Sequence, residues 1–292
     1  MDAPPGQGDD PADFVAVGQH LASLGLSPPA VLAQDLAQGF LLLEDLGDGL
    51  FARLVAADPA MEIPLYETAA AVLAEIARHP VPPGRPDLSA RGWAEAAAFA
   101  LDWYRFAATG ERLPTGPFVD AMEGALRAHA DGPRVLILRD FHAENLLWLP
   151  DRRGLARVGL LDFQLGQGGQ PGYDLVSLIQ DARRDVSDAA ATAAYLAYAR
   201  GTGQTAADLS PRLAVLGAQR ALRILGVFAR LCLVAGKPGY LPLIPRVWAQ
   251  LQTNLRHPAL APLADICDPL LPAPTPETLS RIEAQCAAAP SR

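Results

Sequence analysis

Arg139-Asp140-Phe141-His142-Ala143-Glu144-Asn145, followed by Leu160-Leu161-Asp162-Phe163-Gln164, is the stretch on which the reading of this chain turns. The apolar run Val135–Leu138 leads into it and predicts a short strand ending just before Asp140. Leu146–Leu149 and Val158–Asp162 are strand-like as well, and Asp151-Arg152-Arg153-Gly154 between them predicts a hairpin turn. Two acids and an asparagine are thus set at the ends of three short apolar strands.

Singly, these residues say little, because Asp and Asn are ordinary turn formers. In this order, with apolar strands against both acids, they fit one chemistry. Phosphoryl transfer needs a group to orient and deprotonate the attacking hydroxyl, a metal across the phosphate oxygens, and positive charge nearby. Asp140 suits the base. Asn145 and Asp162 suit magnesium, which takes oxygen ligands, keeps several waters and uses only one or two protein carboxylates.

Outward from the motif, the chain divides into a small front piece and a long helical one. Asp10 and Pro11 predict a helix start and Gly25 its stop. Val31–Leu32 and Phe40–Leu43 predict strands joined by a turn over Gln34–Gly39, with Glu44–Gly49 as a glycine-punctuated crossover. Residues 65–79, 89–108 and 116–130 are alanine-rich amphipathic stretches. Helices are expected again from Tyr173, over 185–200, 208–235 and 240–256, and after the cap Thr275-Pro276. The expected domains are residues 1–48 and 49–292. Gly166-Gln167-Gly168-Gly169 lacks the Lys-Ser/Thr ending of a phosphate loop and is expected to be a short, flexible segment lining the acceptor site.

Composition limits the alternatives. Half of the 292 residues are hydrophobic and 19% are charged, which fits an ordered chain with a sizeable core. A net charge of −8 argues against nucleic acid or an anionic membrane as partner. The most apolar stretch, 221–235, is broken by Arg223 and Arg230 and reads as a buried helix. No leader-like segment is read at the start, so a cytoplasmic location with no obligate protein partner is expected. Cys232, Cys267 and Cys286 are odd in number and lack paired spacing, so three reduced thiols and no zinc site are expected. His20, His79, His129 and His257 show no metal spacing either.

Asp-x-x-x-x-Asn, a hairpin, then Asp-Phe-Gln resembles the aminoglycoside phosphotransferase branch of the protein-kinase-like fold. Met1–Pro5, Gly39–Asp48, Tyr173–Leu178, Arg223–Leu231, Tyr240-Leu241 and Ile244-Pro245-Arg246 further resemble the bacterial cell-wall sugar kinases. Those are the anomeric N-acetylmuramate/N-acetylglucosamine kinases of peptidoglycan recycling, and the likeness runs from Met1 to about Leu263. It implies an α+β, two-lobed fold with a shortened β-containing small lobe and a mostly helical large lobe. It also implies ATP and Mg2+ as cofactors and an amino sugar as substrate. Asp140 matches the catalytic base, and Asn145 and Asp162 match the metal ligands. Leu42, Leu43 and Glu44 match the hinge facing adenine. Asp174 matches an acid bracing the catalytic loop through Arg139. Arg139, His142, Gln164 and Arg183 are candidates for substrate contact.

Two departures from the family pattern stand out. Leu138 occupies a position where many relatives have His. The chain also begins inside the Met-Asp-Ala-Pro-Pro segment, which two strands and a phosphate-covering loop precede in the family, and no lysine lies near it. The rival expectations are an aminoglycoside- or choline-type hydroxyl phosphotransferase, and a non-catalytic kinase-like binding protein with an incomplete nucleotide cradle.

Overall fold

The computed structural model describes residue 2 and residues 10–287. The Met1–Pro5 stretch, apart from Asp2, lies outside the described residues. In chain order the elements are α1 (Pro11–Ser23), β1 (Val31–Asp35), β2 (Phe40–Leu43), α2 (Phe51–Ala57), α3 (Glu62–Ile76), α4 (Ala90–Ala97), a π-helical turn (Ala100–Arg105), α5 (Phe106–Thr109) and α6 (Gly116–His129). Then come β3 (Val135–Ile137), β4 (Leu146–Trp148), β5 (Val158–Leu160), β6 (Gln167–Gly169), α7 (Tyr173–Ile179), α8 (Asp188–Thr202), α9 (Ala206–Ala235), α10 (Ile244–Leu255), α11 (Ala261–Leu270) and α12 (Pro276–Glu283). They pack as two compact units: residues 1–87, 133–181 and 186–206 in the first, and 88–132, 182–185 and 207–292 in the second. The expected lobe boundary at residues 48–49 lies within the first unit.

The first unit carries every strand found among the described residues. Asp10 caps α1 through its carboxylate, which accepts from the Ala12 N–H at 2.8 Å, and Pro11 occupies the first turn without losing a bond. Gly25 follows with φ +74°, a left-handed stop. β1 and β2 pair antiparallel, and Asp2 bridges to Phe40 on the far edge of β2. Leu41 points inward while Leu32, Phe40 and Leu42 are exposed.

β4 and β5 pair antiparallel with Leu146 opposite Leu160. Their connection is longer than a tight turn: a 3₁₀ turn over Gly154–Arg157 follows the Asp151 corner. Both outer edges of the hairpin are covered. Gly49 brings its carbonyl to the Trp148 N–H at 2.7 Å, and a Cβ there would sit 2.6 Å from the Trp148 carbonyl oxygen, so only glycine fits. On the other side the Leu160 N–H donates to the Ser27 carbonyl at 2.9 Å. This satisfies backbone groups that a two-stranded sheet would leave open.

The Gly166–Gly169 segment differs from expectation. Gln167–Gly169 is a fully buried strand, β6, antiparallel to β3. A Cβ on Gly169 would meet the Ile137 side chain at 2.4 Å, so its glycine serves close packing rather than flexibility. Pro86 accepts from the Gly168 N–H at 2.8 Å on the other edge.

The second unit is helical. α4, the π-helical turn and α5 follow one another over the stretch expected as a single helix. The close seat of α9 accompanies the π-helical turn: a Cβ on Gly226 would lie 2.3 Å from the Phe99 main chain. The cysteine expectation is corrected here. Cys232, at the end of α9, and Cys286, beyond α12, form a disulfide with Cα atoms 4.8 Å apart, because packing brings together positions 54 residues distant. Cys267 is a buried thiol, and burial, helped by Asp268, pushes it up to about 12. Among the described residues no helix is long and apolar enough to cross a membrane.

Candidate active site

The site forms where β3, the β4–β5 hairpin and the start of α7 converge within the first unit. β3 ends at Ile137, and the chain must then reverse sharply. Arg139 takes φ +73°, a left-handed conformation uncommon for a residue with a Cβ. Asp174, on the first turn of α7 and 4% exposed, stabilises it. Its Oδ2 accepts from the Leu138 N–H at 2.6 Å and its Oδ1 from the Arg139 N–H at 2.9 Å. The Ser177 hydroxyl, one turn later, donates to the Arg139 carbonyl at 3.4 Å. The brace reaches Arg139 through its main chain, and it reaches Leu138 in the same way. Leu138 itself is buried and needs no polar side chain for this role.

The reversal leaves Asp140 half-buried at the head of the loop. Five residues on, the Asn145 amide closes the loop: Nδ2 donates to the Asp140 carbonyl at 2.9 Å and to Asp162 Oδ2 at 3.3 Å. The main chain reinforces this, with the Leu161 N–H on the Asn145 carbonyl at 3.0 Å and the Asn145 N–H on the His142 carbonyl at 2.8 Å. Asp162 follows β5 in a left-handed conformation, φ +56°, and its side chain is exposed. Phe163 next to it is fully buried and stacks on Phe14 of α1, ring centroids 4.6 Å apart. Gln164 Nε2 donates to Asp162 Oδ1 at 2.8 Å.

Asp140, Asn145, Asp162, Gln164, Asp174 and the Arg139 main chain therefore belong to one constellation. An exposed carboxylate beside an amide side chain offers the oxygen donors that magnesium accepts, without the several carboxylates of a calcium site or the His and Cys set of a zinc site. Among the described residues no group of three or more His, Cys, Asp or Glu side chains forms such a site. His142 is buried within the loop. Arg183 lies in the second unit, exposed, on the segment between α7 and α8.

Around the hinge candidates, Leu42 is exposed and Leu43 and Glu44 are half-buried. The Glu44 N–H donates to the Ala30 carbonyl at 2.8 Å, and its carboxylate pairs with Arg152 and accepts from the Ala30 N–H. Both residues of that ion pair line two cavities. One of about 590 Å³ runs between α1 and β1 past Gln19, Leu26 and Gln34; the other, about 460 Å³, opens against Asp45, Leu46 and Trp148. Neither is lined by Asp140, Asn145 or Asp162. Sequence reasoning did not anticipate the Glu44–Arg152 pair, since no local pattern joins residues so distant in the chain. Gln164, a candidate for substrate contact by its sequence position, also bonds to Asp162.

The sequence model of the "Phosphotransferase enzyme family" matches residues 1–216. The N-acetylmuramate/N-acetylglucosamine kinase of Caulobacter vibrioides is 41% identical over 279 residues, covering 90% of this chain and 75% of that protein. Its namesake from Pseudomonas aeruginosa is 31% identical over 277 residues, covering 91% and 80%. Among solved structures, a choline/ethanolamine kinase family protein from Mesorhizobium loti superposes with a TM-score of 0.60 at 18% identity, covering 96% of this chain and 85% of that one. At that identity the likeness speaks for the fold alone.

Proposed function

The chain belongs to the phosphotransferase enzyme family, and from that premise we propose that it transfers the γ-phosphate of ATP to the anomeric hydroxyl of N-acetylmuramate or N-acetylglucosamine. The reaction is supported chiefly by one observation, the Asn145 amide that spans the Asp140 carbonyl and the Asp162 carboxylate. The choice of sugar is supported by relatives bearing that name at 41% and 31% identity over nine-tenths of the chain. The need for ATP favours the cytoplasm as its location.

Each residue's role follows from its placement. Asp140 accepts the proton as the anomeric oxygen forms its bond to the γ-phosphorus, and the bond to the bridging β–γ oxygen breaks to release ADP. Asn145 and Asp162 are the side chains that would hold magnesium. The chemistry the metal would supply there is neutralisation of phosphate charge. Asp174 holds the main chain at Arg139 so that Asp140 points at the acceptor. Leu42, Leu43 and Glu44 form the small-lobe edge beside adenine, with the lobe boundary at residues 48–49. Arg139, Arg183 and His142 are the remaining candidates for the acceptor side, and the burial of His142 favours a packing role for it.

The test is ADP release measured across a panel of N-acetylmuramate, N-acetylglucosamine, an aminoglycoside and choline. The account expects turnover with one or both amino sugars. Turnover with choline or the aminoglycoside alone overturns the choice of sugar, and no turnover with any acceptor overturns the enzymatic reading.

A further inference from the structure

We propose that Gln164 is the positioning residue of the metal-binding carboxylate, holding Asp162 in one rotamer through its side-chain amide. The inference rests on the assignment of Asp162 as a metal ligand made above. The backbone at Asp162 is firmly set. The Leu161 N–H is bonded to Asn145, Phe163 is buried against Phe14, and the buried strand β6 begins at Gln167. The carboxylate itself is exposed, so nothing in the backbone fixes its torsions. Two side-chain amides do. Asn145 Nδ2 approaches Oδ2 at 3.3 Å and is shared with the Asp140 carbonyl, whereas Gln164 Nε2 meets Oδ1 at 2.8 Å. The Gln164 bond is the shorter and lies within the ordinary N–H···O range; the Asn145 bond lies beyond it.

Both donors are neutral, so they orient the carboxylate without neutralising it, and its charge is left for a cation. A Lys or Arg at position 164 would compete for that charge. Gln164 is also well placed to act: the Gly166 N–H closes a turn onto the Phe163 carbonyl at 2.9 Å, and this turn contains Gln164. Its side chain therefore starts from a fixed backbone only two residues from its target. Such outer partners typically change metal affinity about 10–100-fold when removed.

The experiment is a Mn2+ titration of the full chain in saturating ADP, followed by EPR, with the number of Mn2+-bound waters taken from H₂¹⁷O line broadening. Gln164→Met, similar in length and without the amide, should weaken Mn2+ about 10-fold while the water count and the KM for sugar stay unchanged. One additional water on the metal in Q164M would mean that the Gln164 oxygen is itself a ligand, and overturns the proposal. Unchanged Mn2+ affinity with a raised sugar KM would make Gln164 a substrate contact, and overturns it too. Asp162→Asn, run alongside, separates the two levels: if that variant binds Mn2+ as the wild type does, the metal-site assignment itself fails.

Discussion

Replacing Asp174 by Ala removes the carboxylate that holds the turn before Asp140, and the structure sets the size of the effect. A buried main-chain donor, Leu138 N–H at 2.6 Å, and a half-buried one, Arg139 N–H at 2.9 Å, lose their acceptor. An unsatisfied buried donor costs about 1–3 kcal/mol, and with the half-buried one at the low end the pair costs about 3 kcal/mol. At roughly 2–4 °C per kcal/mol, extrapolated from somewhat smaller domains, the melting temperature falls by about 6–12 °C. Arg139 also loses the N–H bond that helps hold its φ of +73°, a conformation about 1–2 kcal/mol above the right-handed one. Relaxation there swings Asp140, the next residue, and a misplacement of about 1 Å costs on the order of 10²-fold in rate. Asp174→Asn keeps the shape and one acceptor oxygen, so its losses should fall between wild type and Ala. The assay is kcat and KM alongside thermal unfolding: kcat should fall by about 10²-fold in Ala with the sugar KM nearly unchanged. Activity within about threefold of wild type in both variants, with melting points unmoved, would refute the reasoning.

Further expectations concern the rest of the molecule. Gly226→Ala should destabilise by about 3 kcal/mol, seen as a lowered urea midpoint, because its Cβ would overlap the Phe99 main chain. The usual gain of about 1 kcal/mol for Gly→Ala inside a helix is thereby reversed. Cys286→Ser should lose up to about 4 kcal/mol, the loop-closure value for a 54-residue separation, and its melting point should no longer respond to reductant. His20 is held below the ordinary histidine range by burial, with the charge of His79 adding to the effect; the His79 ring is bonded to Glu75, which also accepts from Arg78. A depressed histidine stabilises the fold fully above its unfolded value and loses that contribution as pH falls through the folded one. The melting point should therefore drop between pH 7.5 and pH 5.5, and less so in His20→Gln.

What was legible in the sequence was mostly local chemistry. The Asp10–Pro11 start of α1 and the Thr275–Pro276 start of α12 are read from side chains that act within three residues, and both caps form as expected. Strand, acid, loop, amide, hairpin, acid is likewise a short-range pattern, and the structure joins Asn145 to both acids. The misses depend on partners far away. The β6 glycines look flexible until Ile137 is seen lying across Gly169. The three cysteines look isolated until α9 and the segment after α12 are packed together. The Asp174 brace was legible as a carboxylate, but its contact with the main chain of Leu138 and Arg139 was not, since backbone donors leave no mark in the sequence.

The most direct test of the central claim is the product itself, made by the full chain from ATP and N-acetylmuramate with Mg2+ and examined by ³¹P–¹H correlation NMR. The account predicts phosphorus coupled to the anomeric proton, and a rate reduced about 10²–10⁴-fold in Asp140→Asn with its fold unchanged by circular dichroism. Phosphorus coupled to any other sugar proton, or an Asp140→Asn variant as fast as wild type, would contradict it.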